Sequence, residues 1–403
     1  MNIMVMNCGS SSLKYKILSM PDEMEMAGGE AQRVGPKTTE PARIIHRVWG
    51  KETTHFTDMA DHGEAFREVM NLLKETPELE PDALGHRVVH GGNRFKKETL
   101  VDKAKIETLE EISDLAPLHN PPAVSLLKAC NRMYPQLPQS AVFDTSFHST
   151  MPEYAYTYAL PGSLREGQGI RKYGFHGTSH QFVVEEAARL MNRPMEEMNA
   201  VSCHLGSGGA SLCAVKDGRS VDNTMGYSPL QGLMMSTRSG DLDPAVVLRL
   251  MALHNGDAKA VEKKLNKQSG VLGMSGVSSD IRDVFSLREK KGTDQIKNTA
   301  SLYLWRIRKY LGAYLTAVGN ADAVIFTDTI GETMPLVRQI VCSDMDVFGI
   351  RLDAKKNETA ELPADLAADD SPVRVFAIRT NEELAIARRT YNLVINLRKG
   401  VKA

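Results

Sequence analysis

The sequence predicts an α/β protein built from two duplicated halves, and three observations carry that prediction. The chain has 403 residues, more than a single hydrophobic core usually serves, so two domains is the natural division. Apolar runs of strand length alternate with amphipathic stretches of helical period, the pattern of helices layered on sheets. One short design, an apolar run, a Gly/Ser turn and a second apolar run, occurs near the start and again in the middle of the chain, as a repeated α/β unit would require.

The elements follow in order. The opening "IMVMNCGSSSLKYKIL" reads as a strand, a polar turn and a second strand, with Leu13, Tyr15 and Ile17 on one face and Ser12, Lys14 and Lys16 on the other. Helical periodicity predicts helices at 63–75, 121–132, 180–191 and 244–254. The second hairpin is "AVSCHL", a Gly/Ser turn and "SLCAV", with a reverse turn at "KDGR". The longest helical pattern, 295–317, is apolar enough to be substantially buried. "ADAVIFTDTIGETMPLVRQIV" reads as strand, loop and helix, with Pro335 in the first turn of the helix. The acidic, Ala-rich stretch 355–372 reads as a surface loop. A last helix begins at "TNEELAIARRTYNL", where Thr380 and Glu383 form a capping box.

Composition narrows the function. Apolar residues make up 42% and charged residues 25%, with a net charge of −1, which argues against nucleic acid or an anionic membrane as the main partner. The five cysteines are scattered without CxxC spacing, the pattern of reduced thiols and not of a disulfide or zinc framework. "MNIMVMNCGS" lacks a basic leader and reaches a polar turn quickly, so it reads as a strand and not a signal peptide. No apolar run approaches membrane-spanning length. The expectation is a soluble cytoplasmic protein.

The candidate chemistry gathers around the two Gly/Ser turns. Their backbone N–H groups can form an anion nest, although neither turn carries GK[ST] and each leads into a strand. Seven of the eleven histidines lie between residues 86 and 204. "HGTSH" spaces His176 and His180 as zinc ligands could be spaced, but it holds no glutamate and its glycine disfavours a helix. Histidines hydrogen-bonded within the core are the stronger reading. Arg87 in "GHRVVHGG" and Arg238 in "STRSGDLDP" offer guanidinium forks suited to the oxygens of a phosphoryl group. Asp144, ending "SAVF", and Glu382, opening the last helix, are candidate magnesium-side carboxylates.

Taken together, these segments resemble the acetokinase family within the acetate/sugar kinase, heat-shock and actin superfamily. The resemblance runs nearly end to end, through "NCGSSSLKYK", "GHRVVHGG", "LAPLHNPP", "FDTSFHSTMP", "YGFHGTSH", "STRSGDLDP" and "TNEELAIAR". It implies two duplicated actin-like (ribonuclease H-like) α/β domains with the active site in the cleft between them. Residues 1–148, completed by the terminal helix 381–403, would form the first domain. Residues 149–380 would form the second, carrying donor binding and dimerisation in a homodimer. The implied activity is reversible Mg²⁺-dependent phosphoryl transfer between a phosphate donor and acetate, giving acetyl phosphate by direct in-line attack.

The resemblance also implies roles. Arg87, Asp144, His176 and Arg238 would be catalytic, and Asn7, Asp144 and Glu382 would position Mg²⁺. Val89, Leu118, Phe175 and Pro229, with Arg87, would form the acetate pocket. Donor phosphates would meet Asn7, Ser10, Ser12, Lys14, His119, His204, Gly206, Ser207 and Gly208. The nucleoside side of the donor would meet Asp280, Ile281, Arg282, Asp328, Thr329, Ile330 and Gly331.

Three departures from the family pattern fall on the donor side. "HLGSGGAS" is one residue longer than the usual "HLGNGAS", Ser236 replaces the glycine of "GTRSGD", and "DTIGET" stands where "GGIGEN" or "AGIGEN" is usual. Asp328 and Thr329 thus occupy positions where small residues let a purine approach. ATP/ADP is the first expectation for the donor and pyrophosphate/phosphate the alternative. A nucleotide-driven actin-like assembly protein is the rival from another class.

Overall fold

The structure, a computed structural model, describes residues 1–36, 38–290 and 292–400. The chain divides into two compact units, Met1–Phe147 with Asn381–Ala403, and His148–Thr380.

The first unit is built on an eight-stranded sheet. Its strands are β1 (Asn2–Cys8), β2 (Ser12–Ser19), β3 (Met24–Gln32), β4 (Arg43–Val48), β5 (Lys51–Phe56), β6 (Ala83–Val88), β7 (Thr99–Leu100) and β8 (Gln139–Phe143), in spatial order β5-β4-β3-β2-β1-β6-β8-β7. β1 runs parallel to β6, and β6 to β8, while β1 to β5 form an antiparallel meander. Because successive side chains point to opposite faces, β1 serves two cores. Met4 and Met6 pack with Phe66, Val69, Leu126 and Cys130 of the helices His62–Leu73 and Asn120–Met133. Ile3 and Val5 pack with Ile386, Ala387 and Val394 of the helix Glu382–Arg398. A strand covered on both faces must be apolar throughout, which is why "IMVM" shows no alternation. Gly85 of β6 lets that last helix approach: a Cβ there would lie 2.6 Å from Thr390 Oγ1.

The second unit holds a six-stranded sheet of β9 (Ala200–Leu205), β10 (Ala210–Lys216), β11 (Arg219–Asn223), β12 (Ala323–Thr327), β13 (Ala364–Asp365) and β14 (Arg374–Ala377), in order β11-β10-β9-β12-β14-β13. The duplication shows in the strand order. β3-β2-β1-β6-β8 and β11-β10-β9-β12-β14 are the same sequence of hairpin, turn-back and parallel crossovers. The helices Gly177–Leu190 and Asp294–Val318 pack on β9.

Four local expectations are corrected. "DTIGET" is a short helix, Asp328–Thr333, not a loop; Glu332 Oε1 accepts from the Asp328 N–H at 2.8 Å and closes its first turn. "HGTSH" does enter a helix, which begins at Gly177 with His176 in the left-handed region (φ +57°) as its N-cap. The stretch 355–372 is structured, with a helix at Ala354–Thr359, β13, and buried Leu366 and Ala367. Its Asn357 holds the buried Arg338 guanidinium through Oδ1 at 2.7 Å and its carbonyl at 2.8 Å. The last helix is capped by Asn381, whose side chain accepts from the Leu384 N–H at 3.0 Å, and not by Thr380. Among the described residues no helix is long and apolar enough to cross a membrane.

Candidate active site

In the second unit the β9–β10 turn is closed by the Gly206 N–H donating to the Gly209 carbonyl at 3.0 Å. Two side chains converge on its far end. A Cβ at Gly209 would lie 3.0 Å from Arg238 Nη2 and 3.5 Å from His176 Cε1, so both side chains close directly on this glycine. Arg238 donates to the Pro229 carbonyl at 2.9 Å and reaches the Gly208 carbonyl at 3.5 Å. Burial pulls its pKa below the ordinary arginine value, which means that a charged guanidinium is held where an incoming anion would be favoured. Ser207 and Gly208 are exposed at the tip, where Ser236 Oγ donates to the Gly208 carbonyl at 3.2 Å.

The histidines divide by role. His176 Nδ1 pairs with Ser211 Oγ at 2.9 Å, and its ring lies 4.2 Å from that of His204, centroid to centroid. His180 has both ring nitrogens engaged, with Ser202 Oγ at 2.9 Å and Ser211 Oγ at 2.8 Å. Burial pulls its pKa well below the ordinary histidine value, with the His148 and His204 charges adding to the shift. It is a structural histidine, and the zinc reading of "HGTSH" has no ligand there. His204 is also engaged at both nitrogens: Nδ1 with Ser179 Oγ at 2.8 Å and Nε2 with Asp328 Oδ2 at 2.9 Å. The expected phosphate contact from His204 therefore requires that one of these bonds be exchanged. Ser179 and Ser211, which orient these rings, had no role in the sequence reading. Ser179 lies 25 positions from His204 and Ser211 lies 35 from His176, so no local spacing signals either pair.

Of the nucleoside-side candidates, Ile330 and Gly331 are buried in the short helix Asp328–Thr333 after β12, and the Ile281 side chain is buried in its own helix packing. Asp280 caps the helix Ile281–Glu289 and is forked by Arg282 at 2.6–3.1 Å. Thr329 turns its hydroxyl onto Asp328 Oδ1 at 3.0 Å.

In the first unit Arg87, on β6, shares the pleat face of Gly85 and so points toward the helix Glu382–Arg398. Its Nε and Nη2 donate to Asp144 Oδ1 and Oδ2 at 3.1 and 2.7 Å, and Nε lies 3.4 Å from Glu382 Oε2. Burial opposes the charge, but Asp144 and Glu382 outweigh it and raise the Arg87 pKa above the ordinary value. Asn7 lies next to the end of β1, one residue beyond the Met6–His86 pairing, and Ser10 and Lys14 are exposed on either side of the start of β2. The turn itself is held by the Gly9 N–H to the Ser12 carbonyl at 2.8 Å and by His62 Nε2 at 2.9 Å from the Gly9 carbonyl.

Two carboxylates against one guanidinium leave a net negative charge of hard oxygen donors, which fits Mg²⁺ with its need for one or two carboxylates. Among the described residues no cluster of three or more His, Cys, Asp or Glu could hold a metal, so a larger all-protein cage is not offered. Of the acetate-pocket candidates, Val89 is half-buried and Leu118 is 64% exposed in the first unit, with His119 exposed beside it. In the second unit Phe175 is buried and Pro229 is tied to Arg238 through its carbonyl.

The acetokinase family model matches residues 2–388. The chain is 45% identical to an acetate kinase of Acetivibrio thermocellus, covering 98% of this chain and 100% of that protein. It is 46% identical to an acetate kinase of Alkaliphilus metalliredigens, with the same coverage. Among solved structures, the crystal structure of Porphyromonas gingivalis acetate kinase is similar at a TM-score of 0.91 and 37% identity, covering 98% of this chain and 99% of that one. A propionate kinase from Francisella tularensis is similar at a TM-score of 0.89 and 35% identity, covering 97% and 99%.

Proposed function

The chain belongs to the acetokinase family, and from that premise we propose that it reversibly transfers a phosphoryl group between ATP and acetate, forming acetyl phosphate and ADP. The observation that carries the assignment on this chain's own residues is the convergence of Arg238 and His176 on Gly209, a cationic and N–H-rich cradle for donor phosphate.

The chemistry asks little of a base. A simple carboxylate, with a pKa of about 4–5, is already an anionic nucleophile at neutral pH, so the histidines act as hydrogen-bond donors and orienting groups. The barrier lies in bringing an anion to a polyanion. Arg238 and His176 neutralise and orient donor oxygens, while Arg87 holds Asp144 and Glu382 in place as the carboxylates for a cation beside the acceptor. Asp144, Glu382 and Asn7 would hold Mg²⁺, which supplies further neutralisation of phosphate charge when bound. Transfer is direct and in line, the phosphorus–oxygen bond to acetate forming as the bond to the leaving phosphate breaks.

Val89, Leu118, Phe175 and Pro229 are proposed as apolar contacts for the acetate methyl group. ATP is favoured as donor because the two side chains expected to crowd a purine are turned elsewhere: Thr329 onto Asp328, and Asp328 onto His204. A cytoplasmic homodimer is proposed as the working form. Its support is the helix Pro244–Leu253, ten mostly apolar residues of which none is buried, and the five free cysteines.

The test is acetyl phosphate consumption with Mg²⁺, using ADP in one tube and inorganic phosphate in another. ATP formation in the first supports the reading. Turnover with phosphate and none with ADP would replace the nucleotide by pyrophosphate.

A further inference from the structure

The β9–β10 turn ends against a carboxylate of the protein's own. A Cβ at Gly206 would collide with the Asp328 side chain and with the Gly209 carbonyl, so Asp328 packs directly on the turn that is read as the donor-phosphate cradle. Its Oδ2 lies 2.9 Å from His204 Nε2, and its Oδ1 accepts from the Thr329 N–H at 2.5 Å and the Thr329 hydroxyl at 3.0 Å. The other nitrogen of His204 is committed to Ser179, so Nε2 is the ring position that Asp328 controls.

The backbone aims this carboxylate. Asp328 is a non-glycine residue at φ +62°, a left-handed conformation that aspartate tolerates at modest cost and that concentrates at functional positions. It is clamped there by Glu332 Oε1, which accepts from the Asp328 N–H at 2.8 Å and from the Thr380 N–H at 3.0 Å. Burial would favour the protonated acid. The His204 bond and charge, with the Thr329 N–H, outweigh burial and hold the carboxyl well below the usual carboxylate range, so it stays ionised.

We infer that Asp328 is an internal stand-in for a donor phosphate oxygen: it occupies the hydrogen-bond position on His204 Nε2 that a donor phosphate must take over to use that imidazole. A carboxylate oxygen and a phosphate oxygen are the same kind of acceptor for an imidazole N–H. A tethered competitor acts at high effective concentration, and its charge also repels the incoming anion. Asp328 is therefore a positioning residue that sets how tightly the turn grips donor phosphate. The inference rests on the proposed reading of the turn as the donor site.

Two variants test it, read by binding and not by turnover. Asp328→Gly removes the competitor and suits the left-handed backbone; Asp328→Asn keeps an acceptor without the charge. Calorimetric titration with pyrophosphate and with ADP, each with Mg²⁺, should show at least one probe bound roughly fivefold or more tightly by Asp328→Gly than by the parent, with Asp328→Asn between. In assays the donor KM should fall in the same order, with the acetate KM unchanged. Equal or weaker binding in both folded variants, or no binding by any of the three proteins, overturns the inference. Failure of the parent protein to phosphorylate acetate would count against the proposed function and would leave the calorimetric result standing.

Discussion

Arg87 in the first unit is held by a bidentate pair with Asp144 and by Glu382 close by. Arg238 in the second is held by the carbonyl oxygens of Pro229 and Gly208. The same side chain thus sits in opposite electrostatic settings. The charge of Arg87 is more than matched before any substrate arrives, whereas burial disfavours the charge of Arg238. The first setting suits a residue that organises carboxylates for a cation, and the second suits a residue whose counter-ion is the substrate. Arginines nominated by the same sequence reasoning therefore differ in what their removal should do.

The largest expected effect is on Arg238. Arg238→Ala should lower kcat by roughly 10³-fold, the scale of catalytic arginines in phosphoryl transfer, with the thermal midpoint nearly unchanged. A folded variant with near-normal turnover would remove Arg238 from the mechanism. Arg87→Ala should also lose activity, but it should differ from Arg238→Ala by losing stability. It strands the buried Asp144 carboxylate beside Glu382, and breaking such a pair costs roughly 3 kcal/mol. Urea midpoints of the two variants measured side by side decide this, and equal stability would erase the contrast.

A third effect separates structural from functional histidines. Burial lowers the pKa of His86 to about 4, with only the Gln139 bond in opposition, so it is neutral when folded and gains a proton on unfolding. The sign is then set: stability is full above the unfolded value of about 6.5 and falls as pH drops toward the folded value. Unfolding midpoints at pH 7, 5.5 and 4 should decline, and His86→Gln should flatten that decline. An unchanged slope would show that His86 does not contribute. The smallest effect concerns the acceptor. One methylene is worth about 1–3 kcal/mol in an apolar pocket, so Val89→Ala should narrow the acetate-over-propionate ratio of kcat/KM several-fold. A widened ratio would remove Val89 from the methyl contacts.

Much of the fold was legible because its signals are local. The alternation at Leu13, Tyr15 and Ile17 marked β2, and "AVSCHL" with "SLCAV" marked the second hairpin. What escaped was tertiary. Asp328–Thr333 looks like a loop until Glu332 closes its first turn, and Asn381 caps the last helix while the Thr380 hydroxyl is drawn to Ser179 at 2.8 Å. Ile330 and Ile281 sit within motifs of the family yet point into the core. The site was legible as residue types and not as pairs. Arg87 and Asp144 are 57 positions apart and His204 and Asp328 farther still, and no spacing rule joins them until the sheets bring them together.

Phosphoryl transfer to acetate is most directly tested by incubating the purified protein with acetate, ATP and Mg²⁺ and trapping acyl phosphate as it forms. The prediction is acetyl phosphate with a matching amount of ADP, dependent on acetate and abolished to near background in Arg238→Ala. A folded protein that forms no acyl phosphate from acetate, with ATP or with pyrophosphate, would contradict it.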